Sequence, residues 1–148
     1  MASIRKGERL IDQAKRALPE LRSSLDAHLA LIGPDYTDDE SGFAAYSAYG
    51  DTVFDFLREA LRANRDEDAR RVFVLTEALA ASTDIYAQSV VATEIAAQLV
   101  NVGLGDRARP LMGPATQELL ESEEELVARA DNKRNRFLRF IERLVRSR

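Results

Sequence analysis

The chain has no cysteine, one histidine, four prolines and seven glycines in 148 residues. Without Cys there is no disulfide scaffold, no thiolate zinc site and no cysteine nucleophile. A single imidazole, His28, excludes a multi-histidine metal centre and leaves a Ser-His-Asp relay little to draw on. Strand signals are also missing. No window alternates Val, Ile, Thr and aromatic residues between hairpin turns. The first residues scatter Arg5, Lys6, Glu8, Arg9, Asp12, Lys15 and Arg16 among apolar positions, so no apolar run of signal-peptide length forms. The weakly polar run 86–104 is broken by Gln88, Thr93, Glu94, Gln98 and Asn101, and Glu94 would be costly in lipid. These absences predict a cytoplasmic protein with no membrane contact, no cofactor, no metal and no catalytic residues.

What is abundant favours helix. The chain holds 22 Ala and 18 Leu, both strong helix formers, and its length suits one domain with a real core. The pattern predicts a single all-α domain over 1–148. Apolar stripes place helices at about 4–18, 19–31, 38–64, 66–81 and 84–102. Gly33-Pro34-Asp35 marks a loop, Thr37 with Glu40 forms a capping box, Ser82-Thr83-Asp84 caps the fifth helix, and Gly103 with Gly105 ends it. Pro114 opens a last helix that keeps its period over about 115–145, with acidic residues early and Arg late, as the helix dipole favours. The turns after the third and fourth helices are short, which forces antiparallel neighbours. The architecture expected is an antiparallel helical array, a short irregular HEAT-like α-solenoid; the alternative is an up-and-down helix bundle.

Charge is segregated. The net charge is −4, yet residues 25–68 carry eleven acidic and three basic groups, and residues 132–148 carry seven basic and one acidic. The acidic middle suits recognition of a basic protein partner, and net acidity argues against nucleic acid. The candidate partner-binding residues are Asp35, Tyr36, Asp38 and Asp39 before the third helix, and Tyr49, Asp51 and Asp55 on it. Tyr beside carboxylates is a common recognition pattern. Asp51 and Asp55, one turn apart, are also the spacing at which two carboxylates can share a cation, but no Glu-x-x-His and no calcium-loop motif accompanies them. The basic amphipathic end of the last helix is expected to dock on the core with its Arg side chains outward. Glu94, within the apolar fifth helix, is expected to hydrogen-bond at a helix edge or pair with an Arg.

Several stretches carry a family resemblance: Leu18-Pro19-Glu20-Leu21, the run from Tyr49 to Leu61, Asp66-Glu67-Asp68, Ser82-Thr83-Asp84 leading into Val90-Val91, and Met112-Gly113-Pro114-Ala115-Thr116. Over about residues 18–120 they resemble small bacterial all-helical HEAT-like domains of unknown function, of the kind found among polymorphic-toxin immunity proteins. Arg outnumbers Lys by 18 to 3, a bias typical of GC-rich bacterial genomes. The resemblance implies a non-enzymatic binder that neutralises a cognate toxin, and it carries over no catalytic residue. The combined expectation is a non-catalytic protein-binding protein acting through its acidic face. The alternative is a structural or oligomeric helical protein that uses its C-terminal helix as a dimer seam.

Overall fold

A computed structural model describes residues 6–32 and 43–146. It is all-α, with seven helices and no strand among the described residues. Helix α1 spans Lys6–Ala17. A 3₁₀ turn, Pro19–Leu21, leads into α2, Arg22–Ile32. Helix α3 is continuous but mixed: α-helical Phe43–Ala48, π-helical Tyr49–Val53, then α-helical Phe54–Arg62. Helix α4 spans Asp66–Ala80. Helix α5 is mixed in the same way: Ile85–Val90, a π-helical Val91–Ala96, and Ala97–Asn101. A short α6, Gly105–Ala108, passes through a 3₁₀ turn, Arg109–Leu111, to α7, Pro114–Arg146.

The predicted boundaries hold to within a few residues where the structure describes them. The ends obey local chemistry. Asn64 adopts a left-handed φ of 57°, which lets the Arg65 amide reach back to the Ala60 carbonyl at 2.8 Å. Gly103, at φ 72°, does the same for α5, where the Leu104 amide bonds Leu99 O at 2.9 Å. Asp84 caps α5 by accepting from the Tyr86 amide at 3.0 Å. The predicted Thr37–Glu40 capping box lies outside the described residues.

The core is one contiguous cluster. Leu10, Ala14 and Leu18 of the α1 region meet Ala45, Val53 and Leu57 of α3, Val72 and Phe73 of α4, Val91, Ile95 and Leu99 of α5, and Leu120 of α7. Helix α4 is central and touches α1, α3, α5 and α7. Its Glu77 is the anchor of α7. The carboxylate accepts from the Ala115 amide at 2.8 Å, the Thr116 amide at 2.9 Å and the Thr116 hydroxyl at 2.9 Å. It thus caps a helix N-terminus from another element. Burial pushes its carboxyl upward, but the two amides and the hydroxyl outweigh that and hold it below the usual carboxylate value. Beneath it, Thr76 and Thr116, both fully buried, pair their hydroxyls at 3.2 Å.

Only the first two turns of α7 dock on the core. Thr116 and Leu120 are its buried residues. From Glu125 to Arg146 every residue is exposed, including Leu126, Val127, Phe137, Leu138, Phe140 and Ile141. This corrects the expectation that the basic end docks on the core. The reason is length. At about 1.5 Å per residue α7 runs to roughly 50 Å, whereas α4, its neighbour, reaches about 22 Å, so more than half of α7 overhangs.

Candidate functional site

The acidic strip lies on α3. Asp51 and Asp55 follow one another a turn apart, both exposed, and Glu59 continues the row one turn later. They edge an open groove of about 270 Å³ between α2 and α3, lined also by Leu21, Ser24, Thr52 and Phe56. Phe56 forms a half-buried apolar wall, with the Arg65 guanidinium 5.7 Å from its ring centroid. Asp55 accepts from Arg58 at 2.7 Å, an exposed i,i+3 pair that holds the carboxylate at the groove edge and contributes little to stability.

Tyr49 does not belong to this surface. It is fully buried, and its hydroxyl donates to the Leu10 carbonyl at 2.7 Å, tying α3 to α1. Burial, with a smaller contribution from Tyr86, pushes the phenol well above its ordinary pKa. The π-helical turn explains the miss. An extra residue within the turn rotates Tyr49 from the flank, where a regular 3.6-residue period puts it, onto the core face. Asp35, Tyr36, Asp38 and Asp39 lie outside the described residues. Of the seven predicted partner-binding residues, the structure therefore brings together Asp51 and Asp55.

Next to the strip sits a polar cluster that the sequence did not announce. The two π-helical turns, Tyr49–Val53 and Val91–Ala96, pack against each other. Gly50 leaves room there for the Glu94 carboxylate, which a Cβ at that position would displace. Glu94 is half-buried between them. Burial raises its carboxyl above the usual value, the nearby Asp51 charge raises it further, and a hydrogen bond with Gln98 opposes both. Among the described residues no Arg pairs with it, and its hydrogen bond with Gln98, one turn along the same helix, is the helix-edge contact expected. Close by, Tyr46 donates to Ser89 at 2.8 Å and meets the Tyr86 ring edge-on at 5.6 Å.

His28 completes the cluster. Its Nε2 lies 2.7 Å from Ser47 Oγ and 3.8 Å from Asp51 Oδ2. Serine, histidine and aspartate thus meet, but through one ring nitrogen. A nucleophile relay needs the base to hold the hydroxyl on one nitrogen and the carboxylate on the other, and this geometry lacks that order. Nor do three or more His, Asp or Glu side chains converge as metal ligands anywhere among the described residues. What the arrangement can do is present charge beside an apolar wall.

Residues 11–128 match the family described as a domain of unknown function, DUF7674. The chain belongs to that family. No curated protein and no solved structure matches this DUF7674 chain. The match runs from α1 to the early part of α7, so it takes in the core, the strip and the Glu77 anchor, and it stops where the overhang of α7 begins. None of the helices described in the DUF7674 chain is long and apolar enough to cross a membrane.

Sequence reasoning missed the Glu77 anchor, although a signal was present. Pro114 opens a helix, yet Gly113 before it has no side chain to serve as a cap, so the acceptor had to come from elsewhere. The length of the last helix, set against the shorter helices before it, likewise announced an overhang.

Proposed function

We propose that this DUF7674 domain is a non-catalytic protein-binding unit that takes a basic protein partner on the α3 strip. The observation that carries the reading is the combination at one groove: Asp51, Asp55 and Glu59 along the rim, with Leu21 and Phe56 as its apolar part. Interfaces of this kind pair an apolar contact with charges that steer the partner and select its sign. The finer reading follows from the family resemblance: the partner is a toxin, the binding neutralises it, and the encounter takes place in a bacterial cytoplasm. The test is quantitative capture from the source cell with wild-type protein and with the double variant D51K/D55K. A basic partner retained by the wild type and lost by the variant, at equal helicity by circular dichroism, is the expected result. A partner retained equally by both removes this strip as the binding surface.

A second reading, an oligomer seamed by α7, is favoured by one observation: the apolar residues of its outer half are exposed on a helix that leaves the core.

A further inference from the structure

We propose that the overhanging half of α7 is a docking ledge for an acidic amphipathic helix of another protein, which lies along it as one further helix of the array. The ledge is separate from the α3 strip and selects the opposite sign of charge.

The ledge continues a face that already packs helices. Leu120 is buried in the core, where α7 meets α4 and α5. At about 100° per residue, Val127, Leu138 and Val145 fall within about 20° of the Leu120 direction, and Ile141 lies about 60° round from it. Glu124 accepts from Arg109 at 2.6 Å, and beyond it every residue to Arg146 is exposed. Val127, Phe137, Leu138, Phe140 and Ile141 are 39–61 % exposed there. Phe137, Phe140 and Ile141 stand at i, i+3 and i+4, the spacing with which an amphipathic helix anchors on its partner.

Charge and shape choose the occupant. Residues 125–146 carry seven basic and three acidic groups, a net of +4. Arg129, Arg136 and Arg143 recur every seven residues along one edge of the apolar face. Arg129 has an exposed carboxylate on its own helix, Glu125 at 3.9 Å, a weak contact that a carboxylate from outside can replace. A helix with acidic residues beside its apolar stripe meets this row with the opposite sign. A second copy does not. Two overhangs laid together set +4 against +4, and the Glu-rich start of α7 turns its apolar face, through Leu120, into its own core. A flat anionic bilayer fits the charge but not the shape. The bundle lies on the side that Leu120 faces, so a plane brought up to the apolar face meets the bundle as well. A helix about 10 Å across fits beneath the ledge.

The probe is a synthetic helix of roughly three heptads, with Leu at the two core positions of each and Glu at the two flanking ones; the control carries Lys in place of Glu. Fluorescence anisotropy of the labelled peptides with the full-length protein is the readout. The wild type should bind the Glu peptide. F137E, at an exposed position, should weaken that binding about tenfold or more at unchanged helicity, and R136E/R143E should do the same. In D51K/D55K, where the α3 strip no longer draws a basic helix, the Glu peptide should still bind, about tenfold tighter than the Lys peptide. Failure of the ledge and failure of the strip are thereby read separately. Equal binding of the two peptides to D51K/D55K, no binding of the Glu peptide at tens of micromolar, or binding indifferent to F137E overturns the ledge. A wild type of twice the chain mass in sedimentation, reduced to the single mass by F137E, gives the face to a second copy instead. Binding to phosphatidylserine vesicles that is tighter than to the Glu peptide, and lost in F137E, gives it to a membrane.

Discussion

The Glu77 anchor gives the sharpest quantitative expectation. Its carboxylate serves two backbone amides and one hydroxyl at the start of α7, at 2.8–2.9 Å. Hydrogen bonds to a charged acceptor are worth about 1.5–3 kcal/mol each when water is excluded. Here the group is half-buried and water competes, so the measured cost of losing a helix cap, about 0.5–2 kcal/mol, is the better guide. Because one side chain satisfies three donors, E77A is expected near the top of that range, about 2 kcal/mol. For a chain of this size that is a fall in Tm of roughly 4–8 °C. The pH dependence has a definite sign. The folded-state pKa lies below the ordinary value of 4.5, so the ionised carboxylate stabilises the fold above that pH, and the contribution is lost as pH falls through the folded value. Urea denaturation of wild type and E77Q should therefore show a gap at pH 7 that narrows as pH falls below the ordinary value of 4.5. A steric partner checks the same contact: a Cβ at Gly113 would overlap the Glu77 carboxylate. G113A should destabilise the wild type, and the E77A/G113A double variant should cost less than the two single changes added together. If E77A shifts Tm by less than about 1 °C, or the two costs add, Glu77 is not the clamp described above.

Three other outcomes follow. Y49F removes the buried donor to the Leu10 carbonyl and should cost about 1–2 kcal/mol in urea, leaving partner capture intact. E94Q removes a carboxylate whose folded pKa is raised. Its charge opposes folding above that pKa, so the variant should be more stable than wild type at pH 7, and the gap should vanish below pH 4.5, the ordinary value. Partner association through Asp51 and Asp55 should slow as salt is raised from about 0.05 to 0.5 M, as stopped-flow fluorescence can show, because screening shortens the reach of an exposed strip.

The all-α fold was legible because helix signals act locally. Alanine and leucine content, Pro19, Asp84, Gly103 and Pro114 each constrain their own turn, and the structure obeys them. The strip was legible only in part. Asp51 and Asp55 sit on a helix face that periodicity predicts, but Tyr49 lies inside a turn whose period is not 3.6, and its burial followed that departure. The contact of Glu77 with Thr116 joins residues 39 apart, a pairing that no local pattern encodes. The exposure of Phe137 and Ile141 depends on which neighbours are too short to cover them, a property of the whole array.

The two facing π-helical turns set a constraint on how this chain can change length. Each holds one residue more than a regular turn. Deleting one residue near Gly50 would restore a regular helix and swing the stretch from Phe54 to Leu61 by about 100°, turning Leu57 and Leu61 out of the core. The same holds for Leu99 beyond the turn at Val91–Ala96. Because the two turns lie side by side, their insertions are meshed like matched teeth. A deletion in either helix would break that fit as well as turn its own core residues outward. Single-residue deletions should therefore be tolerated far better along the overhang of α7 than within either of these turns.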